Sequence, residues 1–226
     1  MISFQRIGGL SALVAAATYL VGFWLYFQLL EPAQYGSSLL PPLQHAGFLV
    51  ENEALMRGWN FIIYIVNGVF LTVLAIAVHR RLAGAPTGLA LCATAFGLMW
   101  ATLVLASGMV ANVSLGVITG LYETEPVQAA GAWLVLTTVQ EGLGGGNELV
   151  GGLWILLVSA AAQCARSLPA WLNLLGVVIG LAGLLTLLPG LTDAGAVFGL
   201  GMIAWFIAVG FALLFGRRPD ESVASR

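Results

Sequence analysis

Six nearly unbroken apolar stretches divide the chain, at 7–30, 59–78, 88–110, 145–163, 171–188 and 196–215. Stretches of this length predict α-helices that cross a hydrocarbon core of about 30 Å, for which about 20 residues suffice. The first follows Arg6 and contains Ala15, Ala16 and Ala17, a pattern that imitates a cleavable signal. Because its apolar run continues through Phe27, it reads as an uncleaved span. The predicted fold class is therefore all-α, a polytopic membrane helical bundle forming one transmembrane domain over 1–226.

Polar positions gather in two segments, 31–58 and 119–144, expected to lie outside the membrane. Pro32, Pro41 and Pro42 interrupt any continuous helix in the first, leaving room for a short surface element. Two apolar runs are longer than one straight crossing needs. Gly88 to Leu121 would reach about 51 Å as a helix, and Gly108, Asn112 and Gly116 point to its outer third as the irregular part. In Val127 to Gln163 the pattern is interrupted from Gln140 to Glu148, which predicts an external or interfacial helix to about Val139 and a span from about Gly145.

Charge placement then orients the bundle. Basic residues are retained on the cytoplasmic side. Arg6, Arg80, Arg81, Arg166, Arg217, Arg218 and Arg226 all fall on one side of a six-span path, and Arg57 alone falls on the other. Both termini are thus expected in the cytoplasm. Acidic residues crowd the opposite face: Glu31, Glu51, Glu53, Glu123, Glu125, Glu141 and Asp193, with Glu148 near the boundary.

Composition agrees with the pattern and removes alternatives. With 60% hydrophobic and 8% charged residues, a water-soluble exterior could not be built. A net charge of −2 leaves no basic patch for a nucleic-acid partner. Every basic residue is arginine, a bias that suits a GC-rich bacterial genome and hence a bacterial cytoplasmic membrane. Cys92 and Cys164 lie in apolar surroundings without metal-ligand spacing and read as small core residues.

Candidate chemistry concentrates on two helices. Glu53, Arg57, Asn60, Tyr64 and Asn67 recur at intervals of four, three, four and three, which places them on one face of a regular helix, the first two able to pair. Asn60, Tyr64 and Asn67 fit either structural hydrogen bonds between helices or a ligand-lining stripe. Gln140, Glu141, Asn147 and Glu148 would share a second face if four intervening glycines did not break the helix. His45, with Glu51 and Glu53 nearby, lacks ligand spacing and reads as an ordinary interfacial histidine, and no metal site is expected. Trp24, Trp59, Trp133 and Trp171 read as anchors at the membrane interface. No nucleophile elbow or acid/base motif occurs, so no catalytic residue or cofactor is named.

Gly152, Leu153 and Trp154, then Arg166 to Leu172, then Leu175 to Gly180, resemble a bacterial six-span membrane-protein family of unknown function, the domain of unknown function 4386 type. The resemblance covers nearly the whole chain and implies six spans. It carries no binding or catalytic residues. Members often have a second arginine after the proline, where this chain has Ala170.

The expected site is an outward-open polar recess lined by Asn60, Tyr64, Asn67, Asn147 and Glu148, binding or passing a small molecule, lipid or cation. Beyond the bilayer, the expected partners are that ligand and a second copy or another membrane protein. An accessory subunit packing through Gly176, Gly180 and Gly183 is the first alternative. A membrane enzyme acting on lipid or quinone at the outer leaflet, with Glu148 or His45 as acid/base, is the second.

Overall fold

A computed structural model describes residues 3–145 and 148–216. Among these residues nine α-helices follow one another and no strand occurs. They are α1 (Phe4–Leu25), α2 (Pro42–Glu51), α3 (Glu53–Asn60), α4 (Asn67–Arg81), α5 (Thr87–Tyr122), α6 (Pro126–Gln140), α7 (Leu149–Ala165), α8 (Ala170–Leu185) and α9 (Ala194–Phe215). Helices α2 and α6 each start at a proline, whose missing N–H costs nothing in a first turn. Arg166, in the left-handed conformation, ends α7.

Five uninterrupted or kinked runs are long and apolar enough to cross a membrane: Phe4–Leu30, Glu53–Arg81, Thr87–Tyr122, Pro126–Ala165 and Ala194–Phe215. Helix α8 is apolar but shorter, at 16 residues. Large apolar side chains such as Leu20, Val113, Leu174 and Phe211 face outward. Water would not tolerate so much apolar surface, and lipid does. Cys92 and Cys164 belong to this exterior rather than to the core: both are free and exposed.

Helix α5 is one regular α-helix through all 36 residues, so the expected irregularity at Gly108, Asn112 and Gly116 does not occur. Gly108 instead admits a neighbour, since a Cβ there would meet the Tyr64 Cβ at 2.5 Å. The excess length is accommodated by extension of the helix. The second overlong run does break, at Gly144, whose φ of +128° suits only glycine.

The chain divides into two compact units. One comprises Met1–Ala17, Gly68–Thr102 and Asn147–Arg226. Its core is aromatic, with Trp100, Trp154, Phe198, Trp205 and Phe206 in mutual ring contact. Around it helices meet through glycine. A Cβ on Gly152 of α7 would lie 2.9 Å from the Gly180 carbonyl oxygen of α8, and one on Gly9 of α1 would lie 2.8 Å from the Gly210 carbonyl oxygen of α9. Backbones approach this closely only where side chains are absent. Gly180 and Gly183, expected as a docking stripe for another protein, are thus occupied within the chain by Gly152, and Gly176 packs on Ser159.

The other unit comprises Thr18–Asn67 and Leu103–Gly146. Here α2 lies against α6, and Ala46, Leu49, Met56, Leu115, Ile118, Ala129 and Trp133 form a separate apolar core. The segment that proline was expected to keep irregular therefore folds into helices with a core of their own.

Candidate functional site

Two helical runs widen locally from α to π geometry, Tyr26–Leu30 after α1 and Phe61–Val66 between α3 and α4, and a third segment, Glu141–Gly145 after α6, is kinked at Gly144. In Phe61–Val66 four of the six residues are β-branched, and in Glu141–Gly145 three of five are glycine, both poor α-helix formers. A π turn accommodates one more residue than an α turn, so side chains beyond it are rotated to a new face.

That rotation splits the polar stripe of the second span into three settings. Glu53 and Arg57 pair at 2.7 Å on the surface, as expected. Asn60 and Tyr64 line a cavity of about 300 Å³. Asn67, past the π turn, is buried elsewhere, and its amide donates to the Thr18 hydroxyl at 2.6 Å. The regular spacing put all five on one face only because it assumed an unbroken α-helix.

The cavity lies wholly within the second unit. Its walls are rich in rings: Tyr26, Tyr35, Trp59, Tyr64 and Trp133. Gln140 and Glu141 reach it from the end of α6, and the Gln140 amide donates to the Tyr64 hydroxyl at 2.8 Å. Asn60 is only 6% exposed, yet its side chain has no hydrogen bond among the described residues. The Trp59 indole nitrogen is likewise buried with no partner there. Buried polar groups are ordinarily satisfied, and each unsatisfied one calls for a reason.

One wall is built on His45. Its imidazole stacks on Trp133 with ring centroids 4.2 Å apart and meets Tyr35 edge-on at 5.6 Å. The Gly36 N–H donates to Nδ1 at 3.3 Å, which requires the proton on Nε2, and Nε2–H then donates to the Ser37 carbonyl at 3.2 Å. Both ring nitrogens are engaged with the backbone, so His45 serves as a structural post of this wall. The Trp133 indole N–H donates to the Tyr35 hydroxyl at 3.1 Å. Burial pushes the Tyr35 hydroxyl above its ordinary pKa, against the opposing effect of that indole N–H.

Trp24 and Trp171 are exposed, as interface anchors should be. Trp133 is not, being 7% exposed within the apolar core, and Trp59 faces the cavity. The i, i+4 spacing of Ala129, Trp133 and Thr137 on α6 was the available signal for that buried face.

Glu148 belongs to the first unit, where its backbone N–H donates to the Thr186 hydroxyl at 2.9 Å. Asn147 lies outside the described residues, as do Arg217, Arg218 and Arg226. The structure thus brings together Asn60, Tyr64, Gln140 and Glu141 and adds Tyr35, Trp59 and Trp133, which sequence reasoning had placed elsewhere or passed over. No group of three or more metal-ligating His, Cys, Asp or Glu side chains occurs among the described residues. Comparison with protein-family models, with curated proteins and with solved structures gives no match to this chain.

Proposed function

We propose that this chain is a ligand-binding protein of the bacterial cytoplasmic membrane, taking up a small molecule, lipid headgroup or cation in the aromatic cavity for binding or passage. The observation that carries this reading is the convergence of two π turns and the kinked end of α6 on one cavity. Tyr26 and Leu30 come from the first π turn, Tyr64 from the second and Glu141 from the kinked segment. A π turn is a costly irregularity, found preferentially where function demands it. Two on one cavity, beside a kinked third segment and the unpartnered Trp59 indole, favour a ligand over simple packing. At about 300 Å³ the space is at the small end of ligand sites.

Six spans with both termini in the cytoplasm remain the best account of topology. Helix α8 is short, but it runs antiparallel to α7 along its length. Gly152 meets Gly180, Ser159 meets Gly176, and the Asn173 amide donates to Gln163 at 3.1 Å. A helix so paired with a spanning neighbour crosses with it. Six crossings also keep the arginine segregation, and they fit the six-span family that the turn at Arg166–Trp171 resembles. In a chain with Cys92 and Cys164 replaced by serine, Glu123→Cys should react with an impermeant maleimide on intact cells, and Ala83→Cys only after permeabilisation. The reverse pattern would exclude this orientation.

The binding reading is tested by filling the cavity. Ala111 of α5 lines it and is 7% exposed. Native mass spectrometry of protein extracted from producing cells should show a bound small molecule or lipid that Ala111→Phe loses nearly completely, while Ser114→Ala keeps it. Overpacking costs about 1–3 kcal/mol, so both variants are first matched for monodispersity. Equal bound content in the wild type and Ala111→Phe, or none in either, would sink the reading.

A further inference from the structure

The charge and ring content of the cavity narrow its ligand to one chemical class. Resting on the reading above, we propose that it binds a small organic cation of the alkylammonium type. The positive end would lie against the ring faces and the Glu141 carboxylate, and a hydroxyl or amide on the ligand would pair with Asn60.

The lining contains one acidic side chain, Glu141, and no lysine, arginine or histidine. Arg57, the arginine closest in sequence to Asn60, is held by Glu53 at 2.7 Å and lines a different groove. Glu141 forms no ion pair among the described residues. A phosphate or carboxylate ligand would meet a negative charge and nothing to offset its own. A positive ligand meets the opposite situation.

The rings decide which kind of cation. A metal ion needs several oxygen ligands around it, and the described residues gather no cluster of metal-ligating side chains. Tyr26, Tyr35, Trp59, Tyr64 and Trp133 line it instead, and rings of this kind attract an alkylated ammonium, whose charge is spread over methyl groups and whose hydration is weak. Tryptophan and tyrosine are the strongest such partners, and burial strengthens the attraction. The Asn60 amide, also in the lining, then provides a neutral hydrogen-bonding group for a second, uncharged polar atom.

Choline and its uncharged carbon isostere 3,3-dimethylbutan-1-ol separate charge from shape, because both carry the same hydroxyl and the same trimethyl head. Isothermal titration of the detergent-solubilised full chain should give choline at least roughly tenfold tighter binding than the isostere. Glu141→Gln should remove most of that difference by weakening choline alone. Glu141 is exposed at its helix end, so this variant should fold. Trp59→Leu, which removes a ring and keeps the carboxylate, should weaken choline several-fold as a second check. Equal binding of the two probes, both abolished by Ala111→Phe, would overturn the cation assignment and leave the cavity reading standing. No binding of either probe, or binding that Ala111→Phe leaves intact, would overturn the assignment and count against the cavity as the site.

Discussion

Gly152→Val should prevent the protein from accumulating as a monodisperse species, while Gly116→Ala and Gly120→Ala leave it unchanged or slightly more stable. The contrast rests on what each added methyl group would meet. A Cβ on Gly152 lies 2.9 Å from the Gly180 carbonyl oxygen and 3.3 Å from the Gly183 carbonyl carbon and the Leu184 nitrogen, all backbone atoms of α8. Backbone cannot rotate away as a side chain can, so α7 and α8 must separate. Separation costs more than a single overpacked site, about 1–3 kcal/mol, because it also loosens Gly180 from Leu156 and Gly183 from the Glu148 carbonyl. The Glu148 N–H bond to Thr186 would be strained as well. In lipid, close packing of this kind is a main source of helix association, since apolar burial contributes little there. A methyl group on Gly116 or Gly120 would find no neighbour within 4 Å, and alanine is the better helix former by about 1 kcal/mol. Gel filtration in mild detergent with a thermal melt reads the series. A Gly152→Val protein that elutes and melts like the wild type would show that this contact does not hold the first unit together.

How much of this was legible in the sequence follows from the range of the interactions. Apolar runs are local, and the long apolar helices and the break before α7 could be placed from them. The pairing of Glu53 with Arg57 is local too, one helical turn apart. The cavity is different, because its lining comes from four separated stretches of chain. Asn60 and Tyr64 line it together with Gln140 and Glu141, whereas Glu148 belongs to the other unit and Asn147 lies outside the described residues. Position counted along a straight helix could not anticipate that the chain kinks at Gly144 after α6 and that α7 begins afresh at Leu149. The π turn at Phe61–Val66 likewise separates Asn67 from Asn60. The glycine stripe of α8 was visible, yet nothing local distinguishes a stripe that packs on another protein from one that packs on the preceding helix. Trp133 was misplaced because an aromatic ring near a membrane boundary has the same sequence signature whether it faces lipid or a second layer of helices.

His45→Ala should release the 31–41 segment and abolish ligand binding, and comparison with His45→Phe should show which interaction does the holding. In the wild type one imidazole joins three elements: it accepts from the Gly36 N–H, donates to the Ser37 carbonyl and stacks on Trp133 of α6. Removing it leaves two backbone groups unpaired at about 1–3 kcal/mol each if they stay buried. It also removes an aromatic contact of about 0.5–1.5 kcal/mol and opens a void. The chain relieves these costs most cheaply by letting Gly36 and Ser37 swing into water, which takes Tyr35 with them. Tyr35, Gly36 and Trp133 all line the cavity, so its wall is lost although no lining residue has been replaced. His45→Phe keeps the stack and loses both hydrogen bonds. If those bonds hold the segment, His45→Phe will resemble His45→Ala; if the stack does, it will resemble the wild type. Amide hydrogen exchange over 31–41 should rise at least roughly tenfold in His45→Ala, which corresponds to about 1.4 kcal/mol of local stability. Exchange that stays at the wild-type rate would mean that α2 and the turn before it are held by the apolar core around Leu49 and Ala129 alone. The histidine would then touch the cavity wall without holding it, and any loss of ligand would have to follow from the void itself.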